Sequence, residues 1–119
     1  LDIVIIDDDK VSTFVTEQYI RKCVTAPYRI HKFSSAVGVS HQVAKINPKY
    51  LFLDLVMPQM TGWDFLDEIK GTDLTSEVYI LSGSLDNELP FYKHISDRAF
   101  CANNIQVNVI VSPIFNPGL

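Results

Sequence analysis

The chain is poor in cysteine, with only Cys23 and Cys101 in 119 residues, and it has no Cys-x-x-Cys pair. That excludes a disulfide scaffold or a four-thiolate zinc site, and it leads us to expect two reduced, partly buried thiols in a cytosolic protein. No run of Lys or Arg occurs, and the formal net charge is −4. A nucleic-acid surface is therefore not expected. No apolar stretch approaches the roughly 18 residues of a membrane span. The first apolar run, Ile3-Val4-Ile5-Ile6, is too short for a signal peptide and leads straight into Asp7-Asp8-Asp9. Internal repeats, low-complexity tracts and linkers are missing as well. Because the chain begins at Leu1, its natural start is expected to lie upstream. Hydrophobic residues make up 47% and charged residues 20%, which suits one globular domain over 1–119.

Short apolar runs alternate with segments of helical spacing. Leu1 to Ile6 reads as a strand of β-branched residues. Val11 to Val24 reads as a helix with Val11, Phe14, Val15, Ile20 and Cys23 on or near one face, broken by Thr25-Ala26-Pro27. Tyr28 to Phe33 is a partly exposed strand. Ser34-Ser35 are placed to cap a helix from about Ala36 to Ile46, closed by Asn47-Pro48. Further strands are predicted at Tyr50 to Leu55, Val78 to Leu81 and Gln106 to Val111. A short helix is predicted over Trp63 to Lys70, and a less regular helical stretch over about Asn87 to Ala102. The order is βαβαβαβαβ. The first, third and fourth strands are almost wholly apolar, as expected for parallel strands covered on both faces. Right-handed crossovers then give a doubly wound α/β sheet.

In such sheets the ligand site lies beyond the carboxyl ends of the strands, where the strand order reverses. Asp7, Asp8, Asp54, Ser82 and Ser112 all fall at those ends. If the first and third strands are neighbours, three carboxylates crowd one point. At about 5 Å and an effective dielectric near 20, each pair repels by about 3 kcal/mol. A hard divalent cation with oxygen ligands relieves that repulsion, and Mg²⁺ keeps waters that phosphate oxygens can replace. An Asp carboxylate is also a competent phosphoryl acceptor once charge is neutralised. Ser82, followed by Gly83, is placed to donate a hydrogen bond to a transferred group. The bland alternatives are a solvated turn at Asp7-Asp8-Asp9, a turn carboxylate at Asp54 and an ordinary strand-end Ser82. Asp9 is expected to be such a solvated residue or to start the first helix. Met57-Pro58 and Gly62 read mainly as loop-shaping residues. His31, His41 and His94 read as surface residues, and Trp63 as core or half-buried.

Taken together, Asp7-Asp8, Leu53-Asp54-Leu55-Val56-Met57-Pro58 with Gly62, and Ile80-Leu81-Ser82-Gly83 resemble the receiver domain of two-component response regulators. The resemblance covers Leu1 to about Leu85 well and the remainder loosely. It implies a flavodoxin-like five-stranded sheet of order 2-1-3-4-5 and a signalling module rather than an enzyme. Asp54 would accept phosphate from a phosphohistidine on a histidine kinase or phosphotransfer protein. Asp8, Asp54 and the backbone carbonyl of Val56 would bind Mg²⁺ directly, with Asp7 acting largely through water. Ser82, Gly83 and Ser112 would surround the phosphoryl group and trigger a switch. The expected partners are that kinase or phosphotransfer protein and a downstream target or effector domain, with no membrane and no nucleic acid.

Three positions depart from the family pattern. Ser112-Pro113 stands where a Lys-Pro pair is usual, Val109 stands where an aromatic residue is usual, and six residues follow Pro113, fewer than a final helix needs. A short or absent final helix would leave apolar surface beside the first helix, inviting a homodimer or a partner. Two rival functions stand beside the phosphoacceptor. One is a pseudo-receiver that keeps the fold as a phosphorylation-independent interaction module. The other is a metal-dependent phosphohydrolase, disfavoured because Val56 occupies the place of the usual second Asp.

Overall fold

The computed structural model describes residues 1–55, 57–69, 71–82 and 106–111, with backbone alone for Ser82 and 106–111. Eight elements follow in order: β1 (Asp2–Ile6), α1 (Lys10–Cys23), β2 (Arg29–Phe33), α2 (Ser40–Ile46), β3 (Tyr50–Asp54), α3 (Gly62–Ile69), β4 (Glu77–Ser82) and β5 (Gln106–Val111). The strands form one parallel sheet in the order β2-β1-β3-β4-β5, as expected. The expected helical stretch from Asn87 to Ala102 and the final-helix question both lie outside the described residues.

Period-two alternation splits β1 between two cores. Val4 and Ile6 join Leu51, Leu53, Val78 and Ile80 against Val43 of α2 and Phe65, Leu66 and Ile69 of α3. Ile3 and Ile5 point the other way and pack with Phe52 and Leu81 against Ile20 of α1. Each such buried side chain contributes about 1.5–3 kcal/mol of burial free energy. On the α1 face, the rings of Phe52 and Tyr79 stack with centroids 5.1 Å apart. Helix α1 covers the step from β1 to β2, whereas α2 carries the chain back over β1 to β3 on the opposite face. Right-handed crossovers in opposite directions force that change of face. The reversal lies between β1 and β3, whose paired residues run from Ile3↔Tyr50 to Ile6↔Leu53.

Capping fixes where the helices begin and end. Asp9 caps α1, its Oδ1 accepting from the Val11 N–H at 2.9 Å, and Arg21 and Lys22 sit in the last turn, where cations suit the helix dipole. At α3, the Thr61 N–H donates to Asp64 Oδ2 and the Asp64 N–H donates to Thr61 Oγ1, each at 3.2 Å. This reciprocal box is written in the sequence as Thr-x-x-Asp before an apolar run. Asn47 closes α2 in the left-handed region at φ 46°, its N–H reaching the Val43 carbonyl at 2.9 Å.

Several expectations need correction. Helix α2 starts at Ser40, not Ala36, and the Ser34-Ser35 pair does not cap it. Ser35 Oγ instead accepts from the Val37 N–H at 3.1 Å, and Gly38 follows at φ +75°, a turn that delays the helix. On α1 the buried residues are Ser12, Thr16 and Ile20, while Val11 and Phe14 are 65% and 62% exposed. Cys23 is a free, exposed thiol rather than a partly buried one, and Cys101 lies outside the described residues. His31 is half-buried, with Nε2 3.1 Å from Asp2 Oδ1, whereas His41 is exposed as expected. Trp63 is half-buried against the α2–α3 core.

Candidate functional site

Strand ends β1 and β3 deliver the acidic residues side by side. The Asp7 N–H donates to the Phe33 carbonyl at 3.0 Å, extending the β1–β2 ladder by one residue. Its side chain is thereby held at the top of the sheet, only 4% exposed. Asp7 Oδ1 accepts from the Asp9 N–H at 2.9 Å, and Oδ2 has no hydrogen-bond partner. Asp8 is exposed and Asp54 is half-buried. One carboxylate oxygen from each of the three residues lies within 4.8 Å of the others.

Burial shows in the protonation of Asp7. It pushes the carboxyl above the usual carboxylate range, and the charge of Asp8 adds to the rise. The neighbouring Ser12 hydroxyl, the Asp9 amide and the Asp54 side chain pull partly the other way. A buried acceptor without a partner costs free energy unless a proton or a cation answers it. The donor set is all oxygen, partly buried and anionic, which fits Mg²⁺ far better than a soft metal.

The loop after β3 is pressed against Asp54. The Gly62 N–H donates to the Leu55 carbonyl at 2.9 Å, and a Cβ built on Gly62 would stand 2.6 Å from the Asp54 carbonyl oxygen. Glycine is therefore required for close approach rather than for its dihedral freedom. Between them, Leu55 and Met57 are buried, and Gln59 takes a left-handed turn conformation at φ 70°. An open cleft of about 500 Å³ adjoins the acids, lined by Asp7, Asp8, Lys10, Thr13, Phe14, Glu17, Lys32, Phe33 and Ser34.

Of the expected site residues, the structure brings together Asp7, Asp8 and Asp54. Ser82 ends β4, where its backbone pairs with Val111 of β5, one residue beyond Leu81, which pairs with Asp54 of β3. Val56, Gly83 and Ser112 lie outside the described residues. Phe14, whose spacing predicts the buried face of α1, lines the cleft and is exposed.

Residues 3–93 match the family model of the response regulator receiver domain. The chain belongs to that family. No curated protein matches it. Among solved structures, it is similar to the Vibrio cholerae chemotaxis protein CheY4, with a TM-score of 0.71 at 15% identity, over 94% of this chain and 86% of that one. The response regulator domain of Thermotoga maritima CheB gives 0.73 at 16% identity, over 95% and 78%. A LuxR-family DNA-binding response regulator from Staphylococcus aureus gives 0.68 at 19% identity, over 98% and 91%. At these identities the structural likeness shows the flavodoxin-like fold. The receiver family is a signalling family of two-component systems whose members bind Mg²⁺ at an acidic pocket and work with histidine kinases and effector domains. Among the described residues, no helix is long and apolar enough to cross a membrane.

Proposed function

We propose that this receiver takes a phosphoryl group on Asp54 from the phosphohistidine of a histidine kinase or phosphotransfer protein, and that phosphorylation changes what the domain binds. The observation that carries this reading is the convergence of Asp7, Asp8 and Asp54 within 4.8 Å, with the buried Asp7 Oδ2 unanswered. In the transfer, an Asp54 carboxylate oxygen forms the new P–O bond. The P–N bond of the donor breaks, and the departing imidazole nitrogen keeps its electron pair. Asp54 suits the acceptor role because it ends the central strand β3 while Asp7 is buried and held by the Asp9 amide.

The residues that would hold Mg²⁺ are Asp7, Asp8, Asp54 and the carbonyl of Val56. When bound, the ion supplies positive charge against the carboxylates and the phosphoryl oxygens. Ser82, Gly83 and Ser112 are the proposed phosphoryl-binding and switch positions. Its setting is a cytoplasmic two-component pathway, with a kinase or phosphotransfer protein upstream and a protein target or effector domain downstream. The second reading, a phosphorylation-independent interaction module, draws on Ser112 and Val109, where the family pattern has Lys and an aromatic residue.

Incubation with acetyl phosphate and Mg²⁺ separates the two. One added phosphate by intact mass, abolished in Asp54→Asn, is the expected result. Equal labelling of Asp54→Asn would move the acceptor elsewhere. Failure of the wild type both to label and to bind beryllofluoride would leave the interaction module as the function.

A further inference from the structure

Among the described residues, the buried polar ones are Asp7, Ser12, Thr16 and Ser76. Buried polar groups in folded proteins are almost always hydrogen-bonded, so each of these asks for a partner. Ser76, at the amino ends of the strands, donates its hydroxyl to the Pro48 carbonyl. The other three belong to the acidic end. Thr16 Oγ1 donates to the Ser12 carbonyl at 3.0 Å, which satisfies that hydroxyl. Ser12 is 7% exposed, on the buried side of α1, and its neighbour there is Asp7. The serine stands close enough to draw the Asp7 carboxyl downward, against the rise caused by burial. A hydroxyl here, in place of an apolar side chain, gives up burial free energy that the position would otherwise gain.

Asp7 lacks a second hold. Its Oδ1 accepts from the Asp9 N–H at 2.9 Å, and its Oδ2 has no partner. One donor leaves the plane of a carboxylate free to turn. Mg²⁺ demands near-ideal octahedral geometry, so a turning carboxylate serves it less well. Donors standing behind a metal-binding side chain fix its orientation and strengthen the site.

We propose that Ser12 is a positioning residue of the acidic pocket: its hydroxyl donates to the Asp7 carboxylate and holds it in the orientation that a divalent cation and its waters require. The proposal rests on the reading of Asp7, Asp8 and Asp54 as the Mg²⁺ site. Ser12 acts through Asp7, so its removal lowers the affinity for the cation without removing a ligand.

Mg²⁺ titrated into the protein by calorimetry tests this. Ser12→Ala is expected to weaken binding about tenfold, the lower end of what the loss of such a supporting contact costs. Ser12→Thr keeps the hydroxyl and should bind as the wild type does. Thr16→Val removes the neighbouring buried hydroxyl and should leave Mg²⁺ affinity unchanged. A second measurement needs no metal. In urea denaturation without Mg²⁺, Ser12→Ala should raise the unfolding constant about tenfold when Asp7 is present and by far less in an Asp7→Ala background, since the double-mutant cycle isolates the contact between the two. Equal Mg²⁺ affinity in wild type and Ser12→Ala would overturn the proposal whatever the cycle gives. Additive losses in the cycle would overturn it too, leaving Ser12 a packing residue. If the wild type bound no Mg²⁺, the metal reading of the cluster would fall and the role of Ser12 toward a cation with it, while the cycle would still decide the hydrogen bond to Asp7.

Discussion

Gly62 shows how one missing methyl holds the acidic pocket in shape. Its N–H bonds the Leu55 carbonyl, and its α-carbon lies so close to β3 that a Cβ would be 2.6 Å from the Asp54 carbonyl oxygen and 3.1 Å from the Leu55 α-carbon. Both obstacles are backbone, so no side-chain rotation relieves them. Gly62→Ala must push the start of α3 away from the sheet, disturbing Phe65 and Leu66 in the core below. We expect a loss of about 2–3 kcal/mol, the scale of overpacking a tight site, read as a lower urea midpoint at unchanged slope. Asp54 should also be displaced, so Mg²⁺ should raise the stability of Gly62→Ala less than that of the wild type. By contrast, Gly38→Ala meets nothing within 4 Å, and its φ of +75° is the only obstacle. It should cost about 1 kcal/mol, the usual cost of a left-handed alanine. Equal losses at the two glycines would show that the close approach at Gly62 is relieved by the loop.

At the scale of the elements, the sequence was legible where hydrophobic pattern and burial agree, and illegible where polar chemistry takes over. The β-branched run of β1 and the apolar runs of β3 and β4 are buried on both faces, so they read directly as central strands. Helix α1 is the instructive failure. Its apolar spacing pointed to Val11 and Phe14, yet the first turns lie at the acidic end of the sheet. There the inward positions are the buried Ser12 and Thr16; Ser12 is near enough to Asp7 to lower its carboxyl, and Thr16 Oγ1 donates to the Ser12 carbonyl at 3.0 Å. A core that must meet a buried carboxylate is polar, and a hydrophobic period misses it. Only at Ile20, farther from the acids, does the inward face become apolar. Two substitutions separate these halves. Ile20→Ala should cost about 2–4 kcal/mol of stability. Phe14→Ser should stay within about 0.5 kcal/mol, as an exposed residue does. Measured by chemical denaturation, a large loss at Phe14 with a small one at Ile20 would restore the face drawn from spacing.

Over the whole molecule, the fold concentrates its strain at one end. Two crossovers of opposite direction bring β1 and β3 together, and only their adjacency turns two ordinary acidic strand ends into a cluster. The alternation of elements gave the strand order through the family resemblance, and the Asp7-Asp8 and Asp54 motifs gave the cluster. The depth of Asp7 was not legible, because burial depends on how β2 and α1 close over it rather than on its neighbours in sequence. Three carboxylates within 4.8 Å repel by about 3 kcal/mol per charged pair at an effective dielectric near 20. The folded state therefore carries a cost that the unfolded chain does not, and that a cation removes. Two changes should raise the melting temperature. Mg²⁺ at ten times its Kd adds about 1.4 kcal/mol by mass action, or about 5 °C for a domain of this size. Asp54→Asn removes one charge and should raise the melting temperature without any metal, while losing most of the Mg²⁺ increment because a ligand is gone. The two stabilisations should thus fail to add. Full additivity in thermal melts would place Mg²⁺ somewhere other than this pocket. No change with either would mean that the cluster already holds enough protons to relieve itself, and that the metal site proposed here does not exist.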